Sequence, residues 1–189
     1  MSLEDKIKWD KKYKEKQKLL EPREPSLFVK KYCQAAGGRE ALDLACGVGR
    51  NALFLEDRGF RVDAVDISEV ALDTLKSRSK GTINIIKADL DTFTPNKSYN
   101  LIIKCNFLDR ALIERTKSSL KSGGIYIVET YIEDKANEKK ESNPAFLLKK
   151  DELLKIFKDG FEVLEYKTFW NESYELYKMR KAAIAVVKK

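Results

Sequence analysis

Residues 42–59 read LDLACGVGRNALFLEDRG. A short apolar run ends in Gly47-Val48-Gly49, a helix-like pattern follows, and Gly59 stops it. Glycine lets the backbone turn sharply and approach a ligand with no Cβ in the way. The helix that follows presents free N–H groups that favour an anion. Strand, glycine turn and helix in that order form the first unit of a nucleotide-binding type of α/β fold.

The unit repeats. Strands are predicted over residues 40–45, 60–66, 83–89, 99–106 and 125–131. Helices are predicted between them over 50–58, 68–79 and 108–121, with Ser68 as a cap and Ser122-Gly123-Gly124 as a stop before the fifth strand. A helix over 150–158 leads to two last strands, 161–169 and 182–187. Residues 170–181 between them show no helical pattern, which suits a hairpin and makes one strand antiparallel. Upstream, a helix over 3–20 places Trp9, Tyr13 and Leu20 on one face. A second helix over 26–36 starts at Ser26 and stops at Gly37-Gly38. The expected fold is α/β, a Rossmann-like seven-stranded, mostly parallel sheet with helices on both faces and a C-terminal antiparallel β-hairpin. One domain is expected over 1–189, with a helical lid at 1–36, a cofactor-binding core at 37–131 and an acceptor-side insertion, helix and hairpin at 132–189.

Composition narrows the chemistry. At 43% hydrophobic and 10% aromatic, the chain is that of a folded globular protein. Its net charge of +7 is spread out, and the densest run, residues 11–18, reads as the solvated face of a helix. Residues 133–142 are charged with almost no apolar side chain, and a mobile surface loop is expected there. Cys33, Cys46 and Cys105 have no zinc or redox spacing. An odd number of cysteines and a charged start from Glu4 onward make a reducing, cytoplasmic setting the expectation, and no apolar stretch approaches the roughly 20 residues that span a membrane. Histidine is absent, which removes Ser-His and Cys-His dyads and His-bearing metal sites, and no metal is expected.

Gly47 to Ala52 fits GxGxxA, which serves a nicotinamide dinucleotide or S-adenosylmethionine (SAM) equally. Asp66, ending the second strand, can accept both ribose hydroxyls of either. Four features favour SAM. Asp43, inside the first strand, suits a cationic amino group and would be awkward near pyrophosphate. Asp89, at the end of the third strand, can accept from an adenine amino group. Ser122-Gly123-Gly124 precedes the fifth strand, and the sheet closes in a hairpin with too few residues for the second domain of a dehydrogenase.

The set LDLACGVGRN, VDAVDIS, IKADL, YNLIIKCN and LKSGGIYIVE resembles, in order and spacing, the class I SAM-dependent methyltransferases over residues 39–131. Trp9-Asp10-x-x-Tyr13, the Gly49-Arg50-Asn51 that ends the glycine loop, and Asn143-Pro144-Ala145-Phe146-Leu147-Leu148 resemble the small tellurite-resistance-type and thiopurine-like enzymes. Two departures stand out. The family often has Gly where this chain has Ala45, and no Asn-Pro-Pro-Tyr or Asp-Pro-Pro-Tyr follows the fourth strand, which disfavours methylation of nucleic-acid bases.

The resemblance implies roles. Ala45, Cys46, Gly47 and Gly49 wrap the methionine part of SAM, with Asp43 nearby; Asp66 holds the ribose, Ile67 packs on adenine, and Asp89 and Leu90 border its edge. Asn106 and Phe107 lie beside the sulfonium methyl, although Asn106 also reads as a helix N-cap and Phe107 as core. Trp9 and Tyr13 either face the cofactor from a closing helix or dock that helix to the sheet. Arg50 binds the SAM carboxylate or an anionic acceptor, or forms a surface ion pair. Arg50, Arg110 and Tyr131 are the acceptor-side candidates, and no catalytic base is identified. Cys46 and Cys105 read as small structural residues, not nucleophiles. The expected reaction is in-line transfer of the methyl group to a small-molecule acceptor such as a thiol or metalloid oxyanion, leaving S-adenosylhomocysteine. The alternative is an RNA methyltransferase or a non-catalytic SAM-binding protein that uses the basic N-terminal helix. No membrane partner is expected, and the chain is expected to be a monomer or weak homodimer.

Overall fold

The computed structural model describes residues 3–139, 143–171 and 177–189. Seven strands form one sheet: β1 (Glu40–Leu44), β2 (Arg61–Asp66), β3 (Ile83–Lys87), β4 (Tyr99–Cys105), β5 (Leu120–Tyr131), β6 (Phe161–Trp170) and β7 (Arg180–Lys188). Their order is β3-β2-β1-β4-β5-β7-β6. The first five are parallel, and β7 runs antiparallel to both β5 and β6. The chain winds outward from β1 in one direction and from β4 in the other. The crevice at the carboxyl ends of β1 and β4 is therefore the switch point at which such sheets bind ligands.

Among the described residues there are six α-helices: α1 (Leu3–Glu15), α2 (Leu27–Tyr32), α3 (Arg50–Glu56), α4 (Glu69–Arg78), α5 (Arg110–Lys117) and α6 (Glu152–Ile156). One face packs Val29, Ala52, Leu55, Leu72 and Leu75 onto the sheet. The other packs Leu112, Ile113, Leu153 and Phe157. Parallel strands buried on both faces explain the near-continuous apolar runs of β1, β2 and β4.

Several boundaries differ from the sequence reading. The N-terminal helix stops at Glu15, and Gln17–Leu20 continues as a 3-10 turn. The fifth strand begins at Leu120, ahead of the glycines. Tyr99 pairs with Leu120 and Leu101 with Ile125, so the Ser122-Gly123-Gly124 stretch is a bulge within β5, not a stop before it. A Cβ on Gly124 would lie 2.9 Å from the Asn100 carbonyl oxygen, so only glycine fits there. The fifth helix starts two residues later than predicted, because Asp109 accepts from the Leu112 amide at 3.0 Å and caps it.

The charged stretch after β5 also differs. Asn137 is buried, donates to the Ile132 carbonyl at 2.9 Å and accepts from the Arg180 amide at 2.7 Å. Its residues 133–139 are thus fastened to β7 rather than loose, while 140–142 lie outside the described residues, as do 172–176 in the terminal hairpin.

Candidate active site

The glycine loop closes on itself through Asp66. One carboxylate oxygen accepts from the Gly47 amide at 2.8 Å and the other from the Ser68 amide at 2.9 Å. The Cys46 amide donates to the Val65 carbonyl at 3.1 Å, and the Ala88 amide to the Asp66 carbonyl at 3.0 Å. The ends of β1, β2 and β3 are thereby joined into one rim. Burial raises the Asp66 carboxyl, against the pull of the Ser68 and Gly47 amides. Each oxygen retains a second lone pair, the capacity a ribose diol requires.

Ala45 is in the left-handed region, with φ 57°, as is Gly47 at 55°. That conformation explains why glycine suits position 45. Gly49 caps α3 with φ 83°, and a Cβ there would lie 2.2 Å from the Leu75 Cδ1 of α4. A Cβ on Gly47 would lie 2.9 Å from the Tyr13 hydroxyl, so α1 reaches over the loop. Burial raises the Tyr13 phenol, and Asp66 and Cys46 add to the effect. Trp9 stacks beside Tyr13 with ring centroids 6.0 Å apart. Tyr13 therefore faces the loop, with Trp9 beside it on α1.

Asp43 supplies the test of cofactor fit. It is 1% exposed, and its Oδ2 has no hydrogen-bond partner. Burial pushes its carboxyl up to about 7, opposed by Arg50. A buried carboxylate oxygen with no donor is costly, and a cationic amino group beside the glycine loop is the partner that would relieve it. The residues present therefore fit SAM, with Asp43 toward the amino group, Gly47 and Gly49 toward the carboxylate and Asp66 toward the ribose.

Beyond the loop, predicted roles divide. Asp89 lies two residues past the end of β3, half-buried, and its carboxylate accepts from the Asp91 amide at 2.9 Å. Ile67 lies beside the rim but is 7% exposed. Leu90 is wholly buried in the core, and its carbonyl takes an Arg115 hydrogen bond at 2.7 Å. Its side chain therefore serves packing, not an adenine edge. Asn106 is not the cap of α5. It is exposed at φ 58°, and its amide donates to the Glu129 carbonyl at 2.7 Å. Phe107 follows it, half-buried.

The three acceptor-side candidates make different contacts. Arg50 lies 3.6 Å from Glu129 with its side chain 11% exposed, so its partner is buried rather than on the surface. Arg110 is bound to Glu152 and donates to the Ala145 carbonyl at 2.8 Å and the Leu147 carbonyl at 3.0 Å. It holds the 144–148 segment in place, and the guanidinium is committed to that role. Tyr131 lies across the strand pair from Lys181, whose Nζ is 5.2 Å from its ring. Cys46 and Cys105 are buried, and burial raises both thiols, so neither is a thiolate.

Four charged residues around the site, on α1, β4, β5 and β7, were missed. Buried Glu129 accepts from the Ser26 hydroxyl at 2.5 Å and lies 3.6 Å from Lys181, which is wholly buried. Lys104 is wholly buried on β4 and donates to the Phe107 carbonyl, and burial pushes its ammonium down to about 7. Asp10 accepts from Ser68 at 2.7 Å and Lys6 at 2.6 Å, tying α1 to the start of α4. The available signal for Lys104 was a lone charge inside an otherwise apolar run, and for Glu129 a charge within the apolar stretch 125–131.

Residues 41–124 match the family described as "Methyltransferase domain". That match spans less than half of the chain and makes this stretch similar to methyltransferase domains. TehB from Haemophilus influenzae superposes with a TM-score of 0.78 at 22% identity, over 87% of this chain and 63% of that one. The glycopeptide N-methyltransferase MtfA, solved with SAM, superposes with a TM-score of 0.62 at 16% identity, over 85% of this chain and 92% of that one. Among curated proteins, malonyl-[acyl-carrier protein] O-methyltransferase 2 of Ilyobacter polytropus is 24% identical over 65% of this chain and 54% of its own length. Hemagglutinin 1 of Eikenella corrodens is 27% identical over 74% of this chain and 49% of its own. The chain thus spans about half the length of the curated relatives it matches. Among the described residues, no helix is long and apolar enough to cross a membrane.

Proposed function

We propose that the chain is a SAM-dependent methyltransferase whose acceptor is a small molecule with a soft or already ionised acceptor atom. The observation that supports a working cofactor site is the unpartnered Asp43 Oδ2 beside the glycine loop. Bound SAM supplies a methyl group already activated by its sulfonium. The protein's task is then position and exclusion of water. Asp66 fixes the loop through the Gly47 and Ser68 amides. Tyr13 reaches over the loop from α1, with Trp9 beside it.

The character of the acceptor follows from the side chains at the ends of β4 and β5. Glu129 is engaged by Ser26, Arg50 and Lys181. Arg110 is engaged by Glu152, and both cysteines are held as thiols. With no histidine in the chain, this arrangement suits an acceptor that needs no strong base. A small thiol, with a pKa of about 8.5, is partly thiolate near neutrality and meets that condition.

The test is release of S-adenosylhomocysteine from SAM across thiols, metalloid oxyanions, amines, alcohols and transfer RNA. Turnover with thiols or oxyanions is expected. Turnover confined to amines or alcohols would remove the soft-acceptor reading. No product with any acceptor, alongside tight SAM binding, would make the chain a non-catalytic binder.

A further inference from the structure

Beside α3 lies a cleft of about 480 Å³. That is the size of a site for a small organic molecule. Its floor is apolar, formed by Leu53 and Phe54, and its far wall is the proline-bounded segment 22–25. The cations around it are Arg23, Lys30, Arg50, Arg58 and Arg78, against two carboxylates, Glu24 and Asp57. Those two carboxylates are already matched, Glu24 by Lys30 and Asp57 by Lys80 at 2.6 Å. Arg50 is paired with Glu129, and Arg58 and Arg78 are the guanidinium groups on which the site turns.

The guanidinium groups are also oriented. Arg58 lies 3.5 Å above the Phe54 ring and donates to the Phe54 carbonyl at 3.4 Å. Arg78 donates to the Leu20 carbonyl at 2.5 Å. Among the described residues neither has a carboxylate partner, and one carbonyl takes only part of the five donors that each group carries. Positions 50, 53 and 54 share one face of α3, and Asp57 and Arg58 continue it in the turn that ends the helix, so cations flank the apolar floor.

The geometry points to a second ligand site here, for a small phosphomonoester or similar dianion with an aromatic or aliphatic body. The phosphate takes the guanidinium forks of Arg58 and Arg78, whose planar geometry matches it. The body lies on Leu53 and Phe54. The cleft also touches Val48 and Arg50 of the cofactor loop, so a ligand here would sit next to it.

Calorimetric titration of the full chain with phenyl phosphate, inorganic phosphate and a single-stranded RNA 15-mer tests this at 150 mM salt. Saturable binding of phenyl phosphate is expected, at least tenfold tighter than inorganic phosphate because of the apolar floor. Arg58→Gln, at an exposed position, and the double variant Arg58→Gln/Arg78→Gln should weaken it tenfold or more. Both should bind S-adenosylhomocysteine as the parent does, which reports an intact fold and keeps the result separate from that of the methyltransferase reading. No saturable binding, binding unchanged in both variants, or no preference over inorganic phosphate would each overturn the site. Tighter binding of the RNA, with a steep loss on adding salt, would assign the surface to nucleic acid instead.

Discussion

Gly49 and Leu75 are in such close contact that a methyl group on Gly49 would lie 2.2 Å from the Leu75 Cδ1. The turn that shapes the cofactor loop is therefore also the seam between α3 and α4. Gly49→Ala combines a left-handed backbone strain of about 1–2 kcal/mol with overpacking of about 1–3 kcal/mol. Urea denaturation should show a loss of roughly 2–5 kcal/mol on that account. A variant as stable as the parent would mean that α4 slides freely on α3.

Asp43 makes cofactor affinity depend on pH. Its carboxyl stands at about 7 in the unliganded protein against an ordinary 3.8. A bound ammonium favours the ionised form, so binding releases a proton below the raised value. Affinity for S-adenosylhomocysteine should rise between pH 5.5 and 7, by at most about tenfold per unit, and level off above it. Asp43→Asn should flatten that rise and weaken binding at pH 7.5. A profile that survives the substitution would assign it to another group.

The same carboxyl bears on stability. Between its ordinary and raised values the folded state binds more protons than the unfolded one. Its contribution is therefore full below about 3.8 and is lost as pH rises toward about 7.

Lys104 has the opposite sign. Its ammonium falls from an ordinary 10.5 to about 7, chiefly through burial. From about 7 to 10.5 the unfolded chain binds more protons, so stability rises with pH across that window. Each unit is worth at most about 1.4 kcal/mol. Lys104→Met should abolish this slope, so that the parent gains on the variant between pH 7 and 9.5 in thermal melts. Parallel curves would show that Lys104 keeps its ordinary ionisation.

Ala45 holds φ 57° without being glycine. Ala45→Gly removes a strain of about 1–2 kcal/mol and adds about 0.5–1 kcal/mol of backbone entropy cost. The net expectation is a gain of up to about 1 kcal/mol in urea denaturation. Ala45→Val should lose more than about 2 kcal/mol, because a branched side chain tolerates that backbone poorly. Destabilisation by glycine would show that the Ala45 methyl contributes more packing than its strain costs.

The sequence by itself determined the sheet, because a period-two or all-apolar run between helical patterns reports burial along one stretch of chain. It also located the glycine loop and its Asp43 and Asp66, since strand ends and tight turns are local properties. It marked Ser26 and Ser68 as caps, and both accept the amides expected of caps. What only tertiary structure decided was which charge meets which. Ser26 reaches Glu129 across 103 residues and Arg110 reaches Glu152 across 42. Those separations leave no trace in spacing, so Arg110 read as an acceptor-side group and proved to be a fastening. Leu90 likewise looked like a rim residue, and folding buried it completely. The bulge in β5 arose the same way, from the pairing of Tyr99 with Leu120, a register that no stretch of either strand specifies alone.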